Sequence, residues 1–152
     1  MQKRATLGYD YVRGLAEGEG TFTFSSFTNK LTGECRKVPA FAIKMHVRDK
    51  VLLEKVRDIL GITNKIYVYN HQGKDGYIRG PQAMLIIREY GTLKNIIIPF
   101  FYGKLYGNKA NQFEAWLERI GDDPSIPKSY KLLYQLYKSG FYDRKMDLYP
   151  CE

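Results

Sequence analysis

Apolar residues recur along the chain with two periods, one near 3.6 and one of 2, and the switches between them mark the elements. Leu7, Tyr11, Gly14 and Gly18 share one stripe of a first predicted helix, running from Leu7 to about Glu17 with Thr6 as N-cap. Val12 and Leu15 lie to one side of that stripe and are expected to meet the core. Thr21-Phe22-Thr23-Phe24-Ser25 then alternates polar and apolar, so a first strand is expected over Thr21–Thr28. Asn29 to Glu34 reads as a turn, and a second strand over Lys37–His46 follows, with Pro39 near its start where a missing N–H is tolerated. On that strand Phe41, Ile43 and Met45 face one way and Ala42, Lys44 and His46 the other.

The helical period returns over Arg48–Leu60 through Val51, Leu52, Val56 and Ile59, and Gly61 closes that helix. Lys65 to Tyr69 predicts a third strand with Lys65, Tyr67 and Tyr69 on one face. His71 to Gly76 is rich in turn formers and predicts a hairpin. A fourth strand over Tyr77–Arg88 is expected to bend or bulge at Gly80-Pro81. A short helix over Thr92–Ile98 is ended by Pro99, and Phe100 to Gly107 reads as a loop. Two further helices are expected, Asn108–Ile120, broken by Gly121-Asp122-Asp123-Pro124, and Pro127–Ser139. The order is α-β-β-α-β-β-α-α with an extra C-terminal helix. At 152 residues this is one domain, with a core of about 7–120 and a helix and tail of about 121–152.

Composition narrows the partners. No run approaches the roughly 18 apolar residues of a membrane span, so no membrane partner is expected. No apolar signal region follows Lys3 and Arg4, and the chain is expected to work inside a cell, in prokaryotic cytoplasm or an organelle, and not to be secreted. Cys35 and Cys151 lack metal-ligand spacing and read as incidental thiols. The net charge of +8 becomes twice 8, or +16, in a dimer, which suits a polyanion. The 13 tyrosines, several beside Lys or Arg, add planar faces and hydroxyls usable on nucleic acid. Basic domains that bind no nucleic acid are common, so charge alone leaves the partner open.

The chemistry concentrates where the first helix hands over to the first strand. Tyr11-Val12-Arg13-Gly14-Leu15-Ala16-Glu17-Gly18-Glu19-Gly20 ends in two acids, each followed by glycine. Acids at a helix C-terminus oppose the helix dipole, and a divalent cation would reverse that penalty. Gly14 and Gly18 are four apart, so another backbone can approach one helix stripe closely.

This arrangement resembles the signature of the LAGLIDADG homing endonucleases. Val12 to Gly20 falls on the nine signature positions: Gly14, Leu15 and Gly20 match outright, and Glu17 and Glu19 are acids where the family usually has Asp. Arg13 replaces a small residue and Ala16 a larger apolar one. The resemblance covers roughly Leu7 to Ile120. It implies an α+β fold, αββαββα, with a curved antiparallel four-stranded sheet, helices on one face and DNA on the other. It implies an intron-encoded, site-specific double-strand DNA endonuclease that cuts across the minor groove and leaves 3′ overhangs. The expected metal is Mg2+, with Mn2+ or Ca2+ as substitutes for binding.

On such a sheet the bare face would carry Thr21, Thr23, Ser25, Lys44, Lys65, Tyr67 and Tyr69, with no acid among them. Lys30, Arg36, Lys37 and Arg79 would extend it at the loop ends. Hydroxyls, phenols and bases can bond base edges and neutralise phosphates. Strands also select Thr and Tyr as β-formers, so the face by itself reads first as that of a solvated sheet.

The resemblance makes Glu19 the metal-binding acid, helped by the backbone carbonyl of Gly18. Glu17 points roughly 200° away around a continuing helix and reads as structural, accepting backbone or basic hydrogen bonds. A single motif offers one such acid, and one acid cannot cut two strands. Two copies packed through Leu7, Tyr11, Gly14 and Gly18 would bring two Glu19 side chains to a two-fold axis, which predicts a homodimer and a long near-palindromic target. Some relatives have a Gln after the second strand, and Met45 stands in its place here. His46 is a candidate catalytic neighbour, and Lys104 and Lys109 are candidate cations for charge on phosphate, Lys109 fitting the family pattern better. His71 reads as incidental, and His46 and His71 lack the spacing of a zinc site. Two other readings share the fold: a splicing cofactor binding intron RNA, and a DNA-binding regulator that does not cut.

Overall fold

The structure, a computed structural model, describes residues 2–72, 76 and 78–152. Its first helix, α1 (Tyr9–Glu19), starts later and ends later than the sequence predicts. Leu7 therefore precedes the helix, and Thr6 does not cap it. The N-cap is Gly8, which has no side chain to offer, and the Asp10 N–H instead donates to Glu152 at 2.9 Å. That long-range cap is invisible to a local reading of helix starts.

The strands are β1 (Gly20–Thr28), β2 (Cys35–His46), β3 (Tyr67–Gln72) and β4 (Ile78–Ile87), all paired antiparallel in the order β1-β2-β4-β3. β2 is central, yet it accommodates Pro39, because its pairing with β4 begins only at Phe41. The expected irregularity in β4 is present. The β3–β4 register shifts between Asn70 and Gln72, opposite Gly80-Pro81, and Gly80 takes a φ of 79°. Part of the predicted hairpin, Gly73 to Asp75, and the start of the predicted fourth strand at Tyr77 lie outside the described residues.

A 3-10 turn, Val47–Asp49, leads into α2 (Lys50–Leu60). Gly61 ends α2 in the left-handed conformation at φ 72° and donates back to Arg57 and Asp58, as a closing glycine should. After β4 the chain corrects a second expectation. Pro99 does not end a helix. An α turn, α3 (Tyr90–Thr92), a π-helical turn (Leu93–Ile97) and α4 (Ile98–Phe101) run on continuously, and Phe100 and Phe101 are buried. The wide π turn changes the hydrogen-bond ladder ahead of the proline. The Asn95 carbonyl, four residues before Pro99, accepts from the Tyr149 hydroxyl at 3.5 Å instead.

The last helices are α5 (Asn108–Asp122) and α6 (Lys128–Lys138), followed by a 3-10 turn, Phe141–Lys145. Gly121 belongs to α5 and does not break it. A Cβ there would lie 2.6 Å from the Tyr134 ring, so the glycine lets α6 approach. Phe22, Phe24, Phe41, Ile43, Leu85 and Ile87 turn one sheet face toward the helices and pack with Val12, Leu53, Phe101, Phe113, Trp116 and Leu133. No helix among the described residues is long and apolar enough to cross a membrane.

Candidate active site

The junction of α1 and β1 is built by close packing that only glycine permits. Gly20 is buried, and a Cβ on it would sit 2.7 Å from the Ala16 carbonyl oxygen and 3.1 Å from the Phe41 ring. The Gly20 N–H closes the helix on the Ala16 carbonyl, and the next residue is already in the ladder, with Thr21 opposite Ala42. The turn is tight enough that Glu19, the last helical residue, projects its carboxylate into solvent.

A second element grips this junction. The Glu17 carboxylate accepts the backbone N–H groups of Gly107, at 2.7 Å, and Tyr106, at 3.1 Å. These lie at the start of α5, where a helix N-terminus favours an anion. Glu17 is structural, as its direction on the helix predicts. From the first turn of α5, the Lys109 amine donates to the Gly20 carbonyl at 2.6 Å. Further along α5, the Trp116 indole N–H donates to the Thr23 carbonyl at 2.8 Å. The end of α1, the start of β1 and α5 thus form one braced unit with Glu19 at its open side.

Lys104 does not join it. Its side chain is 5% exposed, and its amine donates to the carbonyls of Tyr149 at 2.8 Å and Pro99 at 3.5 Å. Burial, and then the neighbouring Arg13, hold its pKa below the usual lysine value. Arg13, the odd residue of the signature, is buried with it. Its guanidinium donates to Phe100 and Tyr149 carbonyls, pairs with Asp10 and lies over the Phe100 ring. The C-terminal tail supplies the acceptor that both cations share, which sequence spacing does not reveal.

His46 stands at the far end of β2, opposite Gln82, and its Nδ1 accepts the Arg48 N–H at 3.1 Å. Residues 43 and 20 are register partners, so His46 lies three residues along β2 from the junction. Among the described residues no cluster of three or more His, Cys, Asp or Glu could hold a metal. What the junction offers is one exposed carboxylate, Glu19, and the last-turn carbonyl of Gly18, which no longer has a helical N–H four residues on.

The sheet face away from the helices is continuous with this junction. Register puts Thr21, Thr23 and Ser25 of β1 on it with Val38, Ala40, Ala42, Lys44 and His46 of β2. Tyr67 and Tyr69 of β3 lie there opposite Met84 and Gln82 of β4. No carboxylate stands among these strand positions. Lys65 precedes β3 and does not belong to it, although its amine lies 5.6 Å from the Tyr67 ring centre. Arg36 and Lys30 are exposed at the β1–β2 end. Lys37 is a correction: it pairs with Ser26, points to the helix side and lies 3.5 Å from the Asp123 carboxylate. The side chain of Arg79 lies outside the described residues. Gln82 of β4 and Arg88 just after it also fall on this face, in the period-2 alternation Gln82, Met84, Ile86, Arg88.

The proposed contact stripe of α1 is open. Tyr11 is 49% exposed, and a Cβ on Gly14 or Gly18 would meet nothing within 4 Å. Leu7, Tyr11, Val51 and Leu52 line a cleft of about 450 Å³ together with Arg4, Arg48, Lys55 and Asp49.

The model of the LAGLIDADG endonuclease family matches residues 12–120. Among solved structures, the I-LtrWI LAGLIDADG homing endonuclease bound to target DNA is similar at 21% identity and a TM-score of 0.62, over 97% of this chain and 44% of that one. The LAGLIDADG meganuclease I-CpaMI bound to uncleaved DNA is similar at 17% identity and a TM-score of 0.63, over 98% and 46%. The I-SmaMI LAGLIDADG homing endonuclease bound to cleaved DNA is similar at 19% identity and a TM-score of 0.61, over 92% and 47%. This chain spans less than half the length of each, and at these identities the likeness is one of fold. Signature, strand order, bare sheet face and matched span agree: the chain belongs to the LAGLIDADG endonuclease family.

Proposed function

We propose that this protein is a site-specific double-strand DNA endonuclease that works as a homodimer with a divalent metal. The observation that carries the reading is Glu19, an exposed carboxylate braced at the edge of a sheet face whose strand positions hold no acid. A pure binder gains nothing from a carboxylate held toward phosphates. The neighbours similar in fold are described as bound to target, uncleaved or cleaved DNA, which supports DNA as the partner.

The donor set fits Mg2+. This ion takes hard oxygen ligands, keeps several waters and needs only one or two carboxylates beside substrate phosphates. Glu19 and the Gly18 carbonyl would hold it. When bound, the ion supplies activation of water and stabilisation of the leaving oxygen. The protein supplies position. Glu17 and Lys109 fix the α1 tip against α5, and the face beyond aligns the duplex. One chain contributes one such acid, so cutting both strands calls for two. The open stripe of Tyr11, Gly14 and Gly18, with Leu7 ahead of it, is the surface on which two copies would bring the acids together. A two-fold pair reads a near-palindromic site, and cleavage across the minor groove would leave 3′ overhangs.

The test is a supercoiled plasmid library carrying the gene's native flanking sequence. Linearisation in Mg2+ that disappears in Glu19→Gln, with duplex binding retained, is the expected result. Equal cutting by the variant would remove Glu19 from the reaction. Preferential binding of both proteins to intron RNA, without cutting, would favour the splicing reading.

A further inference from the structure

Arg88 follows β4 on the open sheet face and has no anionic partner among the described residues. Its side chain reaches a hydroxyl and a ring. One guanidinium nitrogen donates to the Ser25 hydroxyl at 3.1 Å, and its central carbon lies 5.6 Å from the centre of the Phe27 ring. Ser25 and Phe27 belong to β1, two strands away. Extending the β2–β4 register by one residue puts Arg88 opposite Ala40, which is itself paired to Thr23. Ser25 is paired to Val38, so the side chain crosses β2 on the diagonal between the levels of Ala40 and Val38. Ala40 is fully covered although its face has no helices over it.

The acid next door is occupied. Glu89 accepts from the Asn64 amide and from the Arg88 backbone N–H. The Arg88 carbonyl accepts the Tyr130 hydroxyl at 2.7 Å, which ties the backbone to α6. An arginine anchored at its root, steered at its tip by a neutral hydroxyl and left without a carboxylate has donors to spare. Guanidinium is the side chain that pairs with two acceptors in a plane, and in the major groove the O6 and N7 of guanine present that pair.

We propose that Arg88, positioned by Ser25, reads a guanine in each half of the DNA target. This rests on the sheet face being the duplex-binding surface. The competing role for the same side chain is a phosphate contact, which fixes register and carries no sequence information.

Selection from randomised duplexes in Ca2+, by the wild-type chain and by Arg88→Ala, Arg88→Lys and Ser25→Ala, separates the two. Wild type is expected to recover a fixed G·C pair in each half-site. Arg88→Ala is expected to lose that preference, a discrimination of roughly 5- to 150-fold, and to keep the others. Arg88→Lys keeps the charge and the packing of the stem, and is expected to relax the same position because an ammonium lacks the planar, fixed pair of donors that guanidinium presents. Ser25→Ala is expected to keep the base and weaken its selection. Replacing that guanine by 7-deazaguanine should reproduce the loss with unaltered protein. If Arg88→Ala weakens all duplexes alike and lowers the salt slope by about 1, the residue touches phosphate and the inference fails. If wild type binds no duplex in a salt-dependent way, the reading of the face itself fails, and that outcome differs from loss of a single base preference.

Discussion

At the residue scale, the site depends on one missing Cβ. Gly20 has ordinary extended dihedrals, φ −79° and ψ 156°, so its glycine is not required by backbone conformation. It is required by space, because a methyl group would press on the Ala16 carbonyl and the Phe41 ring. Gly20→Ala is expected to destabilise the fold by about 1–3 kcal/mol, as overpacking does, and urea unfolding will measure it. An alanine variant as stable as wild type would show that the junction relaxes freely. Arg13 makes a different point. Its type breaks the family pattern, and its surroundings explain how: carbonyls of Phe100 and Tyr149, the Asp10 carboxylate and a ring face satisfy it in the core. A cation buried without such partners would be costly.

At the scale of elements, the connection between α5 and α6 is an electrostatic knot. The Lys131 amine donates to the carbonyls of Ile120, Gly121 and Asp123, closing the α5 C-terminus with a positive charge where the helix dipole favours one. The Asp123 carboxylate accepts the Ser125 N–H and faces Lys37 on β2, and both hold its pKa below the ordinary 3.8. Its folded value is depressed, so the stability it contributes is present above 3.8 and lost as pH falls through the folded value. Urea midpoints of wild type and Asp123→Asn should differ at neutral pH, with wild type higher, and converge in acid. A difference that persists at the lowest pH would assign the effect to shape and not to charge.

At the scale of the whole molecule, the question is what covers the outer side of α1. The inner side of this helix buries Val12, Arg13 and Ala16, and its outer side offers Tyr11 and two glycines, the surface on which the proposed dimer would form. Gly14→Leu tests it cleanly. In one copy a Cβ at Gly14 meets nothing within 4 Å, and replacing a helical glycine favours the helix by up to about 1 kcal/mol. The variant is therefore expected to fold at least as well as wild type while sedimenting as a monomer and losing double-strand cleavage. A dimer that survives the substitution would place the interface elsewhere.

Much of this was legible from periodicity. The four strands, α2 with its closing Gly61, the irregularity at Gly80-Pro81 and the helix-to-strand junction at Glu19-Gly20 all follow from spacing and from residues with special backbones. Those features are set by neighbours a few positions away, so a one-dimensional pattern contains them. Other features depend on residues remote in sequence. Glu152 caps α1, Tyr149 accepts from both Arg13 and Lys104, the α4 segment continues through Pro99 into the core, and Lys37 turns away to Asp123. Arg88 reaches Ser25, 63 residues away in the chain, across the intervening β2. The sequence by itself determined which residues are acidic, basic, apolar or conformationally free, and at what period. Only tertiary structure decided which cations were consumed as internal scaffolding and which stayed free at the surface, because that depends on acceptors brought close by folding, and no local spacing encodes their arrival.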